Sequence, residues 1–219
     1  MAIIQIEKLS FGAYRFAVHL VPGMRRFEVS FAPPVIRIPA APSKRRAALL
    51  EAVLRVGHYA HGVYNGECNE ENLTHSAANT LAELVVRNRR LLPLVLPLGR
   101  ARPAPPRRLL LNGRHVRVTA LSARDSKANW GLYCYEGREL QVNPALREHP
   151  QHLPVIFLHE LFHALQHEKA DHPSFFGKAR QATAFQAQAF MRFAYDNPSA
   201  LAWVVSTLAA PAKPIAVSQ

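Results

Sequence analysis

Apolar positions along this chain first come in short runs and then lengthen to a helical period. Between residues 3 and 38 the runs Ile3–Ile6, Tyr14–Leu20, Arg26–Phe31 and Val35–Ile38 have strand composition, with Pro22-Gly23 and Pro33-Pro34 as turn signals between them. They predict a small antiparallel sheet. After Ser43, an expected N-cap, Leu50, Val53, Leu54 and Gly57 fall on one face of a helix over Lys44–Tyr59. His58 and His61 near its end read as a solvent-exposed pair. Asn65–Leu73 reads as a polar loop, and Thr74 is the expected cap of a second helix that carries Ala77, Ala78, Leu81, Leu84 and Val85 inward to about Arg90. Five prolines in residues 91–108 exclude a continuous helix or a central strand there.

The second half repeats the change of period. Leu109–Leu111 and Arg114–Val118 flank Asn112-Gly113, a type I′ hairpin signal. Asn129–Tyr135 and Glu139–Asn143 form a second expected hairpin around Glu136-Gly137. A helix begins near Pro154, and Val155, Ile156, Leu158, Leu161, Phe162 and Leu165 make it a largely buried one. A further helix is expected over Pro173–Tyr195, then a short one near Ser199–Leu208. The pattern is α+β. The expected organisation is an N-terminal β-rich segment plus two helices (1–90), a Pro/Arg-rich connection (91–114), a second domain of hairpins and helices (115–210) and a loose tail (211–219).

Composition narrows the classes. The chain has 219 residues, 49% hydrophobic, enough for a proper core. No run of 18 apolar residues occurs, and Arg15, His19 and Arg25-Arg26 interrupt any signal-peptide core, so a cytoplasmic protein without a membrane span is expected. The two cysteines, Cys68 and Cys134, read as reduced thiols. The net charge of +12 is concentrated: ten arginines and no acidic residue lie between Leu84 and Arg124. Such a stretch, 87–124, suits a polyanion, with nucleic acid as the first candidate partner. It contains no aromatic residue on which bases could stack.

The candidate chemistry lies in His159-Glu160-Leu161-Phe162-His163. Histidines four apart stand one turn above each other on a helix, so both imidazoles reach one metal ion. Glu160 is placed to take a proton from a water held there. This is the HExxH pattern of zinc peptidases. A third ligand is needed for a catalytic site with one open position. His167 lies about 12 Å along the axis from His159, too far along a straight helix. No Glu follows Glu168, and Gln166 and Lys169 stand where the longer HExxHxxGxxH motif needs Gly and His. His172 is favoured, beyond the helix and beside Asp171, a carboxylate able to orient it; the alternatives are Asp171 itself, Asp196, or no third protein ligand.

The order Trp130-Gly131, Asn143, His159-Glu160-x-x-His163 and His172 followed by Phe175/Phe176 resembles the SprT-like and YgjP-like (WLM-related) zinc metallopeptidases over about residues 115–190. Gly131-Leu132-Tyr133-Cys134 departs from that pattern, and the hairpin after Gly137 is one residue longer. The resemblance implies a zincin-like minimal metallopeptidase domain, an antiparallel hairpin packed on the HExxH helix. It also implies an endopeptidase using Zn2+ on a protein or peptide substrate, in some relatives one associated with DNA. In that reading Glu160 is the general base, His159, His163 and His172 bind zinc, and Tyr133 or Tyr135 stabilises the oxyanion. Two rival readings remain: a nucleic-acid-associated binding protein whose zinc site is structural or vestigial, with His167, His152 or His149 as a fourth ligand, and a secreted effector protease. Oligomeric state is not legible.

Overall fold

The computed structural model describes residues 4–11, 13–63, 69–96, 105–149, 152–167 and 179–210. Its strands and helices are β1 (Ile4–Phe11), β2 (Tyr14–Val21), β3 (Glu28–Phe31), β4 (Pro34–Pro39), α1 (Pro42–Ala60), α2 (Glu70–Arg87), α3 (Leu92–Val95), β5 (Arg108–Leu111), β6 (Arg114–Ala120), β7 (Gly131–Cys134), β8 (Glu139–Val142), α4 (Leu153–His167), α5 (Ala179–Asp196) and α6 (Pro198–Ala209). The protein is α+β, with two four-stranded sheets ordered β1-β2-β4-β3 and β5-β6-β8-β7.

Both hairpins of the second sheet form as the turn chemistry dictates. Leu111 pairs with Arg114 across Asn112 and Gly113, whose φ angles of 49° and 79° are those of a type I′ turn. Cys134 pairs with Glu139, and the positive φ of that longer loop falls on Arg138. The first sheet is not purely antiparallel. β2 runs parallel to β4, because the chain enters β4 from the short antiparallel strand β3 at the sheet edge.

Two helix starts differ from expectation. α1 begins at Pro42, behind Ala41 rather than capped by Ser43; proline at the first position needs no N–H partner. α2 begins four residues before Thr74. Asn69 caps it, its side chain accepting from the Asn72 N–H at 2.8 Å, and Glu70 and Glu71 fill the first turn where the helix dipole favours acids. Thr74 is buried inside the helix. In the proline-rich connection, Leu91, Leu92, Val95 and Leu96 are buried in the core, so its first residues pack rather than span. The beginning of the expected helix over 173–195 lies outside the described residues, and α5 is its described part.

The two halves of the chain are structural repeats of one another. The parallel pairing Ala17↔Val35, Val18↔Ile36 is matched by Arg117↔Glu139, Val118↔Leu140. The edge pairing Val29↔Ile36 is matched by Tyr133↔Leu140. Along the first helix of each half, residues 48–59 and 156–167 show the same order of buried and half-buried positions, one for one. Asn88, following α2, accepts from the Ser10 N–H (2.8 Å) and donates to the Ser10 carbonyl (2.9 Å). Asn197, following α5, makes the same two bonds to Leu110 (2.7 and 2.8 Å). Helix packing is reciprocal: α1 lies against α5, and α2 against α4.

One apolar core joins the repeats. Phe16, Val18 and Leu20 of β2 and Ile36 and Ile38 of β4 face Leu49, Leu50, Val53 and Leu54 of α1. Leu109, Val116 and Leu140 of the second sheet share that core with Phe157, Leu158, Leu161 and Phe162 of α4. Phe162 stacks on Phe190 of α5 at 5.6 Å, and Phe157 meets Trp203 of α6 edge-on at 5.1 Å. Each such side chain contributes about 1.5–3 kcal/mol by leaving water, which fixes α4 on every side but one half-buried stripe. No helix among the described residues is long and apolar enough to cross a membrane.

Candidate metal centre

The half-buried stripe of α4 carries His159, His163 and His167, and the first turn of α2 lies over it. Gln166, buried on α4, donates to the Thr74 hydroxyl at 3.1 Å and so anchors that turn of α2 in place. The Nε2 atoms of His159 and His163 stand 3.2 Å apart, which the four-residue spacing allows. Facing them is Glu71, with Oε1 3.3 Å from His159 Nε2 and Oε2 3.2 Å from His163 Nε2. Glu70 takes the other side of the ring: its Oε1 is 2.9 Å from His163 Nδ1 and 3.5 Å from His167 Nε2.

Glu160 points to the other flank of α4, toward the edge strand β7. A Cβ on Gly131 would lie 2.6 Å from the Glu160 Cγ and Oε1 and 2.8 Å from Ile156 Cγ2, so only glycine leaves room for this carboxylate. The Tyr133 backbone N–H donates to Glu160. Asn143, buried, holds the segment that leads into β7: it donates to the carbonyls of Ser126 (2.8 Å) and Asn129 (3.0 Å), and its own N–H bonds Trp130 O at 2.9 Å. Trp130 itself is exposed.

Electrostatics separate the groups. Burial pushes Glu160 up to about 7, against the opposing pull of His163 and of the Tyr133 N–H, with Glu71 adding to the rise. Burial lowers His159; Glu71 opposes this, and His163 and His75 reinforce it. For His163 burial acts downward, but the Glu70 hydrogen bond and the charges of Glu160, Glu70 and Glu71 outweigh it and the net shift is upward.

Among the described residues, Glu71, His159 and His163 form a cluster whose ligand atoms all lie within 4.8 Å of one another and which could hold a metal ion. Two imidazoles and a carboxylate are a donor set that zinc accepts. Of the residues singled out in the sequence, His159 and His163 lie in this cluster, and Glu160 lies on the neighbouring flank of α4 against β7. His172 and Asp171 lie outside the described residues. Asp196 pairs with Arg192 at the end of α5 (3.6 Å) and is not in the cluster. His149 and His152 pair with each other at 6.0 Å, apart from it. Tyr133 and Tyr135 both lie against the His167 ring, at 6.0 and 5.7 Å.

Glu70 and Glu71 are missed by sequence reasoning because the segment before Thr74 reads as loop. The signal was present: Asn followed by two acids is a helix start. His58, expected at the surface, is fully buried between α1, α2 and α5, with Nδ1 2.7 Å from the Ser76 hydroxyl and Nε2 2.9 Å from Gln186 Oε1. In the arginine stretch, Arg87 pairs with Glu83 at 2.8 Å and Arg117 with Glu139, so acids from outside the stretch offset part of its charge. No family model matches the chain, and no curated protein and no solved structure matches it.

Proposed function

We propose that this protein is a zinc-dependent endopeptidase. The observation that carries the reading is the convergence of the His159 and His163 Nε2 atoms, 3.2 Å apart, on a helix whose next residue, Glu160, is a buried carboxylate pushed up to about 7. A pKa near neutrality suits a group that must both take and return a proton. Zinc, when bound, supplies a Lewis acid for the scissile carbonyl and makes water more acidic.

The protein side of the mechanism follows from placement. Glu160 removes the proton of the attacking water and delivers it to the leaving amine. Gly131 and the Tyr133 N–H hold that carboxylate at the strand edge. β7 is the last strand of its sheet, with α4 beside it, so an extended peptide adding along this edge runs past Glu160. Tyr133 and Tyr135 flank the site and are the candidates for oxyanion stabilisation.

The test is Glu160→Gln, assayed for bound zinc and for cleavage of casein or of the protein itself, with and without DNA. The expected outcome is unchanged zinc content with cleavage reduced about a hundredfold or more. Cleavage at the wild-type rate overturns the role given to Glu160. Faster cleavage in the presence of DNA is the result that would connect the arginines to the activity.

A further inference from the structure

Four ligand atoms of three residues meet here, two imidazole nitrogens and the two oxygens of one carboxylate. His159 Nε2 and His163 Nε2 are 3.2 Å apart, and the carboxylate of Glu71 offers one oxygen 3.3 Å from the first and the other 3.2 Å from the second. Two atoms each held about 2.0–2.1 Å from a tetrahedral zinc stand roughly 3.3–3.4 Å apart. The two imidazole nitrogens are therefore already at coordination spacing, with one oxygen of Glu71 at that distance from each. Its outer shell is in place as well. When His163 Nδ1 donates to Glu70 at 2.9 Å, its Nε2 lone pair turns toward His159 and Glu71. A carboxylate that orients a ligating histidine in this way is the usual support of such a site. Lone pairs and negative charge then point at one centre, and a cation satisfies all of them.

Resting on the zinc-peptidase reading, we infer that Glu71 is the third protein ligand, with Glu70 as the positioning residue of His163. The site is shared between the repeats. In the first repeat the places of His159, Glu160 and His163 are taken by Glu51, Ala52 and Arg55, as the matching burial of the two helices aligns them. That repeat has no HExxH of its own. Its second helix instead supplies the carboxylate that the HExxH helix of the other repeat lacks. Three protein ligands would leave one position of a tetrahedral zinc for water or substrate, and an ion held by them would tie the N-terminus of α2 to α4.

The test is zinc titration of the full chain against a competing chelator, with circular dichroism for the fold. The Glu71 side chain is 65% exposed, so its substitution leaves the core untouched. Glu71→Gln is expected to weaken zinc binding on the order of a hundredfold or more, and Glu70→Gln by about 10–100-fold. His172→Ala and the control Glu83→Gln, a carboxylate farther along α2, are expected to bind as the wild type does. Loss in both Glu71→Gln and His172→Ala upholds Glu71 as a ligand but gives the ion four protein ligands, which overturns the open fourth position and the peptidase reading with it. Unchanged binding in Glu71→Gln together with loss in His172→Ala overturns the inference and leaves the peptidase reading intact. A wild-type protein that binds no zinc overturns both.

Discussion

Gly131 and Glu160 fit each other as a gap fits a peg: any side chain on Gly131 would begin 2.6 Å from the carboxylate oxygen of Glu160. The strand edge and the proposed proton-transfer group are therefore fixed by one missing methyl group. Gly131→Ala is expected to displace Glu160 rather than unfold the protein, at about 1–3 kcal/mol of stability. Zinc content should be unchanged, because His159 and His163 lie on another face of α4. Cleavage should fall in kcat more than in KM. A Gly131→Ala protein with wild-type kcat would show that the close approach is not needed.

Asn88 and Asn197 each close one repeat by bonding both backbone groups of a strand residue. Replacing either by alanine strands a part-buried N–H and C=O, at about 1–3 kcal/mol. Comparable losses are expected at the two sites, measured by urea unfolding. Amide exchange should speed up at Ser10 in Asn88→Ala and at Leu110 in Asn197→Ala. A large loss at one site and none at the other would contradict the structural equivalence of the repeats.

Gly57 and Thr80 are packed so closely that a Cβ on Gly57 would sit 1.8 Å from the Thr80 hydroxyl, an oxygen with no hydrogen-bond partner among the described residues. The corresponding positions of the second repeat hold Leu165 and Ala189, large and small exchanged. Gly57→Ala should cost about 1–3 kcal/mol through overpacking. Thr80→Ala should cost little alone, and the double variant should recover most of the loss. Additive effects, measured as a double-mutant cycle, would argue that the two residues do not touch.

His58 is buried against Ser76 and Gln186, and burial lowers its pKa to about 4; the Gln186 bond opposes this and nearby His61 adds to it. The unfolded chain, with His near 6.5, binds the proton first as pH falls. The contribution is intact above about 6.5 and is lost down to about 4, at up to roughly 1.4 kcal/mol per pH unit. His58→Gln, which places in α1 the residue that α4 carries as Gln166, should flatten the fall in unfolding midpoint across that window. An identical pH profile for wild type and variant would remove His58 from the account.

The chain's own pattern determined what short-range geometry can encode. The spacing of His159 and His163 puts two rings on one turn. Asn112-Gly113 dictates a type I′ hairpin, and the change from short β-rich runs to helical periods gives α+β. These depend only on backbone periodicity and on the φ angles that particular residues tolerate. Tertiary structure alone decided the parallel pairing of β2 with β4, the duplication, and the arrival of Glu70 and Glu71 beside histidines some ninety residues away. The duplication is invisible in sequence because burial fixes only which positions are covered. Over the twelve matched helix positions Leu50 and Leu158 are the one shared residue, and many apolar combinations fill the same core. Glu71 could not be named as a ligand from the chain order, since its place opposite His163 follows from the docking of α2 on α4, and that docking is set by packing summed over the whole core.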